Sequence, residues 1–127
     1  MSEKIEINGK FIHPAIQAAV SYWCDEMPDT IESEKLEIFR ESLSLSLAKL
    51  YDSKEGIIEI HSKVPDKKYY TAFEKPNKPS QILIEAAKKS KLKPELIPQE
   101  IVVTLSTTIV EAYKSNELIK ILWKKSR

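Results

Sequence analysis

Few side chains in this sequence are suited to acid–base chemistry, and they lie far apart along it. His13 and His61 are the two side chains whose ordinary pKa lies near neutrality. His13 precedes a proline at a predicted helix start, which favours a capping or surface role. His61 alternates with polar neighbours on a predicted strand, which favours exposure to solvent. A metal centre usually takes three or four ligands at regular spacing, so we expect no metal site.

The nucleophilic side chains also lack the context that their chemistry requires. Cys24 is the single cysteine, which allows no internal disulfide, and the acidic residues Asp25 and Glu26 beside it disfavour the thiolate. We therefore expect Cys24 to contribute to packing. Gly9 and Gly56 stand alone, so neither a phosphate-binding loop nor a dinucleotide fingerprint is present. We expect no catalytic residue, no cofactor and no enzymatic activity.

Two other interpretations depend on residues of the central region. The segment DKKYYTAFEKPNK, residues 66–78, interleaves lysines with aromatic side chains, as platforms for single-stranded nucleic acid do. It contains no arginine, and a partly buried pair of strands is the interpretation we favour. An enzyme would require His61, a tyrosine and a carboxylate to converge in one pocket.

The acidic region between residues 25 and 41 contains the most unusual pattern. It holds seven acidic residues against Lys35 and Arg40. On a helical wheel, Ile31, Ile38 and Leu45 form an apolar stripe that lies nearly opposite the main one. Either another helix or a loop covers this stripe, or the stripe is a docking face with an acidic rim, suited to a basic protein. For the second case the candidate partner-binding residues are Glu34, Glu37, Ile38, Glu41 and Leu45.

Hydrophobic periodicity predicts three helices. Pro14 suits a first helical turn, and the apolar residues after it recur at helical spacing. The segment SEKLEIFRESLSLSLAKLYDS, residues 33–53, alternates locally like a strand, but its longer 3.6-residue period predicts a helix. A third helix follows Ser80 and has a narrow apolar face. The predicted core residues of these helices are Ile16, Ala19, Val20, Trp23, Met27, Leu36, Phe39, Leu43, Leu47, Leu50, Ile82, Leu83, Ala86 and Ala87.

The remaining segments predict strands. Asn8-Gly9 between KIEI and KFI is typical of a two-residue hairpin turn. IIEIHSKV and YYTAF predict two strands, and EIVVTLS, TIVEAYK and ELIKILW predict a meander with turns at Ser106-Thr107 and Ser115-Asn116. We therefore expect an α+β fold, with about three helices packed on one face of a mostly antiparallel sheet.

Length and composition favour a single globular domain spanning residues 1–127. Apolar residues make up 42% of the chain and charged residues 31%, and the net charge is +1. No run of about 18 apolar residues is available to cross a bilayer. The N-terminal segment MSEKIEINGK lacks the apolar core of a secretion signal. We expect a cytoplasmic protein without a strong general attraction to nucleic acid.

A longer stretch of the sequence resembles a known family. A long helix with Phe39 and Leu43, the segment YYTAFEKP, a helix containing LIEAAKKSKL, and ELIP before a meander occur in this order. The arrangement is similar to that of small immunity proteins encoded with contact-dependent growth-inhibition toxins and related polymorphic toxins. The matching residues are Leu83, Glu85, Ala86, Ala87, Leu92, Ile97 and Pro98.

This resemblance implies a cytosolic, non-enzymatic protein that binds one toxin domain tightly and blocks its activity. Many such toxins are basic nucleases. An acidic helix would steer a positive surface toward it, and aliphatic side chains would supply short-range affinity. The expected partner is therefore a cognate toxin domain. The alternative is a small nucleic-acid-binding or regulatory protein that uses the strand pair rich in lysine and tyrosine.

Overall fold

The computed structural model has an α+β fold, as the sequence predicts. It describes residues 5–7, 9–53, 58–61, 80–98, 100–114 and 117–125. These residues form three helices, a two-stranded antiparallel sheet and a four-stranded antiparallel sheet. The elements in chain order are β1 (Ile5–Ile7), β2 (Lys10–Ile12), α1 (Pro14–Glu26), α2 (Ser33–Ser53), β3 (Ile58–His61), α3 (Gln81–Lys89), a 3₁₀ turn (Pro94–Leu96), β4 (Ile101–Leu105), β5 (Ile109–Lys114) and β6 (Glu117–Lys124).

The N-terminal hairpin is confirmed. Strands β1 and β2 pair antiparallel, with Ile7 opposite Lys10. Gly9 has a φ of +80°, a backbone conformation that glycine adopts without the steric cost a Cβ would add. Ile12, the last residue of β2, is buried and leads directly into the first helix.

Helix α1 starts at Pro14 as predicted, and its first turn is capped by His13. The Ala15 N–H donates a hydrogen bond to His13 Nδ1 at 3.0 Å. The first N–H groups of a helix have no partner within the helix. Here Pro14 has no N–H to leave unsatisfied, and His13 accepts the hydrogen bond from the N–H of the next residue. The predicted apolar face is buried throughout: Ile16, Ala19, Val20, Trp23 and Met27.

Helix α2 is confirmed as a helix rather than a strand. It begins at Ser33, and the Leu36 N–H donates to the Glu32 carbonyl at 3.0 Å. Its 21 residues include many charged side chains, and none of the described helices is long and apolar enough to cross a membrane. Along its main stripe, Phe39, Leu43 and Leu47 are fully buried, while Leu36 and Leu50 are partly buried.

The four-stranded sheet has the order β3-β4-β5-β6 and is antiparallel throughout. The predicted meander is confirmed as β4, β5 and β6. Helix α1 lies against these three strands, and α2 packs against α1 and α3. The side chains that the sheet contributes to the common core are Ile58, Ile60, Ile101, Val103, Leu105, Val110 and Ala112.

Some predicted elements lie outside the described residues. Of IIEIHSKV, the structure describes Ile58–His61 as a strand paired with β4. The predicted strand YYTAF and the predicted turn at Ser115-Asn116 belong to segments that the structure does not describe. The predicted turn at Ser106-Thr107 is confirmed, since the Ser106 N–H donates to the Ile109 carbonyl at 2.9 Å.

Strand β6 pairs with β5 through two irregularities. Trp123 and Ile121 lie opposite Val110 and Glu111, so Leu122 is an extra residue in the ladder. A second irregularity between Ala112 and Tyr113 leaves Ile119 extra in the same way. Bulges of this kind bend a strand and increase its twist.

Helix α3 ends in a Schellman motif that uses a non-glycine residue. The Leu92 N–H donates to the Ala87 carbonyl at 2.8 Å, and the Lys91 N–H donates to the Lys88 carbonyl at 3.1 Å. Lys91 has a φ of 60°, in the left-handed region that glycine usually occupies at this position. Leu92 is buried and supplies the apolar contact that accompanies the motif.

Replacing Lys91 by glycine should stabilise the protein. The left-handed conformation costs a residue with a Cβ about 1 kcal/mol, and Lys91 is exposed, so its side chain contributes little packing. Lys91→Gly should raise the free energy of unfolding by up to about 1 kcal/mol, measured by urea denaturation. The control is Lys89→Gly, inside the helix, which should lower the free energy by about 1 kcal/mol. A loss of stability in Lys91→Gly would contradict this assignment.

The cap at His13 should make stability depend on pH. The pKa of His13 is lowered by burial, and Nδ1 can accept from Ala15 only when it is unprotonated. A lowered pKa in the folded state means that the unfolded chain takes up the proton first as pH falls. The contribution of His13 to the free energy of unfolding is therefore fully present above pH about 6.5, and it is lost as pH falls through the pKa of His13 in the folded state.

The measurement is the melting temperature between pH 7.5 and 5. His13→Asn keeps a capping oxygen but has no titration in this range, so it should flatten the part of the slope that belongs to His13. His13→Ala should lose the cap and about 1 kcal/mol above pH about 6.5, and its difference from wild type should shrink as pH falls, because protonated His13 no longer accepts the hydrogen bond. A wild-type slope that His13→Asn leaves unchanged would show that other groups cause it.

Candidate functional site

The five predicted partner-binding residues lie together on one side of α2. We call Glu34, Glu37, Ile38, Glu41 and Leu45 the acidic face. At about 100° of rotation per residue, they fall within an arc of roughly 100° around the helix axis. The buried stripe of α2, which contains Phe39, lies outside this arc. The helix therefore packs with one side and presents the acidic face on another.

The apolar part of the acidic face is smaller than the predicted stripe. Ile38 is 45% exposed, and Leu45 is half-buried. Ile31 precedes the first residue of α2 and packs against the core, so it does not extend the stripe. Each of the two interpretations of the stripe therefore applies to one residue. Ile31 packs against the core, as expected for a covered stripe, whereas Ile38 is open to solvent between exposed carboxylates, as expected for a docking face.

A cavity of about 280 Å³ lies beside the acidic face. We call it the hairpin groove, because the β1–β2 hairpin forms one wall and helices α1 and α2 form the others. Glu37 and Glu41 belong to both the acidic face and the groove. The lining residues are Glu6, Ile7, Ile12, Gln17, Val20, Ser21, Glu37, Arg40, Glu41 and Ser44.

Two hydrogen bonds hold the walls of the hairpin groove together. Gln17 Nε2 donates to the Ile12 carbonyl at 2.7 Å, which ties α1 to the end of the hairpin. Arg40 Nη1 donates to Ser21 Oγ at 3.3 Å, which ties α2 to α1. The groove is lined by three carboxylates, Glu6, Glu37 and Glu41, and one guanidinium. Its lining carries a net negative charge, which favours a cationic group of a partner.

The side chains considered for catalysis have structural roles or lie apart. Cys24 is 4% exposed, and burial raises its pKa to about 11; Arg40 opposes this shift, and Asp25 and Glu37 add to it. His13 caps α1 at its other end, roughly 16 Å along the helix from Cys24. His61 is a residue of β3 opposite Val102, and its side chain is not among those described.

No group of three or more His, Cys, Asp and Glu side chains in the described part of the chain is arranged to hold a metal ion. The lysine- and tyrosine-rich segment of residues 66–78 lies outside that part, so the nucleic-acid interpretation has no geometry to support it. The residues that carry the family resemblance are mainly structural. Leu83, Ala86, Ala87, Leu92 and Ile97 are all buried.

Sequence reasoning missed two surfaces. The hairpin groove needs three elements distant in sequence, and no local signal marks it. The exposed apolar residues of β6 did have a signal: ELIKILW is the last strand of the predicted meander and has apolar residues at adjacent positions, so both of its faces are apolar. Leu118, Ile119 and Ile121 are each about half exposed, at 50%, 54% and 48%.

Comparisons with known proteins give a similarity of fold. No family model matches the sequence, and no curated protein matches it. Among solved structures, the BTG/Tob domain of FOG-3 from C. elegans superimposes with a TM-score of 0.62 at 15% sequence identity. The match covers 87% of this chain and 89% of that domain. At this identity the similarity shows a shared fold and carries no residue-level function.

The buried thiol gives a direct test of the structural role assigned to Cys24. With a pKa of about 11, roughly 0.1% of Cys24 is thiolate at pH 8, against about a quarter for an exposed cysteine. A disulfide reagent such as Ellman's should therefore react with native protein at least about 100-fold more slowly than with protein in 6 M guanidinium chloride. Equal rates in the two conditions would show an accessible, activated thiol and would reopen a nucleophilic role.

Proposed function

We propose that this protein works by binding another protein, and that it is an immunity protein that neutralises a basic toxin domain in the cytoplasm. The family resemblance of the sequence implies this class. The protein would act as a stoichiometric inhibitor, with no catalytic step of its own. The toxin domain would be held by shape and charge, and its active site would be covered.

The observation that supports this proposal best is the acidic face of α2. Glu34, Glu37 and Glu41 are exposed around Ile38, an aliphatic side chain open to solvent. Carboxylates at the rim of an interface increase the rate of encounter with a positive surface. An apolar side chain at the centre contributes affinity once water is excluded from it.

The hairpin groove extends the same surface inward. Its lining includes the buried apolar residues Ile12 and Val20 and the carboxylates of Glu37 and Glu41, which also belong to the acidic face. A lysine or arginine has an aliphatic stem and a cationic end, and this pattern complements such a side chain. The fold itself does not decide the matter, because one fold hosts many unrelated functions.

Charge reversal on the acidic face should slow association with the toxin. The probe is the variable C-terminal domain of the large secreted protein that the immunity function predicts to be encoded immediately upstream of this gene. Glu37→Lys combined with Glu41→Lys should lower the association rate constant on the order of 10-fold at low salt, because long-range attraction becomes repulsion. Stopped-flow mixing at several salt concentrations measures the rate, and growth of cells that express the toxin domain measures protection.

The matched control is Glu85→Lys combined with Glu95→Lys, which changes net charge equally at exposed positions of α3 and the 3₁₀ turn. If only net charge mattered, both double variants would associate with the toxin domain equally slowly. If the acidic face binds the toxin domain, the variant of Glu37 and Glu41 associates far more slowly than the control. Unchanged kinetics in both variants would remove the acidic face from the interface. Failure of wild-type protein to bind or protect against that domain would refute the immunity function itself.

A further inference from the structure

Strand β6 forms an open edge of the four-stranded sheet within the described part of the chain. It pairs with β5 on one side, and no described strand lies on its other side. Along that side the backbone presents the alternating N–H and C=O groups of an unpaired strand. An exposed edge strand with apolar side chains is a template for another strand.

The side chains of β6 make this edge unusual. Ile119, the most exposed of them, is one of the two bulged residues. Leu118 and Ile121 lie opposite Tyr113 and Glu111, on the face of the sheet away from the helices. Natural edges are generally protected by charge, by bulges or by a covering element; β6 has lysines and bulges, yet it also keeps three half-exposed aliphatic residues that a partner strand would bury.

We propose that β6 pairs with β6 of a second copy of this chain, antiparallel about a two-fold axis. The two four-stranded sheets would then form one continuous sheet of eight strands. Each copy would satisfy the backbone groups of the other, and the exposed aliphatic residues of both strands would be buried. This interface is separate from the acidic face and does not depend on the proposed immunity function.

The alternation of side chains restricts the register of such a pair. Lys120 and Trp123 lie opposite Ala112 and Val110, which face the helices, whereas Ile121 faces the other way. Residues paired across an antiparallel ladder share a face, so between the bulged residues Ile119 and Leu122, where the side chains alternate, the axis passes through a residue rather than between two. The candidate central residues are Lys120 and Ile121.

Charge selects Ile121 as the centre. A register centred on Lys120 would place two ammonium groups directly opposite each other, which is destabilising. A register centred on Ile121 places Ile121 against its copy and Glu117 opposite Lys125 of the second copy. The two-fold axis creates this opposite-charge pair twice, once at each end of the interface.

The lysines and bulges of β6 are compatible with this arrangement. Lys120, Lys124 and Lys125 are exposed, and charged side chains and bulges are the features by which edge strands avoid indiscriminate pairing. In β6 the lysines disfavour every register that places two of them opposite each other. The register centred on Ile121 avoids this and places Glu117 opposite Lys125 of the second copy. The same features thus give selectivity to an edge that would otherwise pair with many strands.

The test is the oligomeric state of the full chain by sedimentation equilibrium between 1 µM and 1 mM. Wild-type protein should form dimers. Ile121→Lys should raise the dimer dissociation constant at least about 100-fold, because it places two ammonium groups at the centre. The matched control is Phe11→Lys, an apolar side chain of β2 with nearly the same exposure, 47% against 48% for Ile121, which should leave the dissociation constant unchanged. Thermal melting checks that both variants are folded.

A charge swap tests the register. Glu117→Lys should weaken the dimer about 5-fold or more, and Glu117→Lys combined with Lys125→Glu should restore wild-type affinity, because the pair is re-formed with its charges exchanged. Monomeric wild-type protein at 1 mM would overturn the proposal and leave the edge to a strand of another protein. A dimer that Ile121→Lys does not weaken would overturn it equally. A swap without rescue would overturn the register.

Discussion

Helix α1 is buried between the sheet and α2, and this packing fixes where the other elements lie. Trp23 is fully buried in this helix, which contacts β4, β5 and β6 as well as α2. Its indole N–H has no hydrogen-bond partner among the described residues. Burial of the large ring removes much apolar surface from water and anchors α1 in the core.

A helix held centrally in this way needs both of its ends fixed. At the start, the His13 ring contacts Tyr51 and Trp123, with centroids 5.1 Å and 5.4 Å away, so one residue joins the hairpin, α2 and β6. Tyr51 in turn donates to the Ser106 carbonyl at 3.2 Å, which links the end of α2 to the turn between β4 and β5. Packing explains both the capping geometry and the lowered pKa of His13.

The same packing decides which surfaces remain for binding. Helix α2 covers α1 with its Phe39 stripe and consequently turns the acidic face outward. Helix α1 covers one face of the sheet but leaves the outer edge of β6 open. The two proposed interfaces therefore follow from how α1 covers the sheet and how α2 covers α1. A shared fold with a BTG/Tob domain does not imply shared interfaces, because function resides in surface residues and the two sequences are only 15% identical.

The sequence alone determined the helices, the hairpin and the meander, because apolar periodicity, Pro14 and Gly9 act locally. It also placed Glu34, Glu37, Ile38, Glu41 and Leu45 on one face of α2, since spacing along a helix fixes their angles. That Ile31 packs against the core while Ile38 is open to solvent follows from the folded arrangement of the helices. Burial depends on which elements meet, and the hairpin groove and the open edge of β6 arise from contacts and strand order between segments distant in sequence.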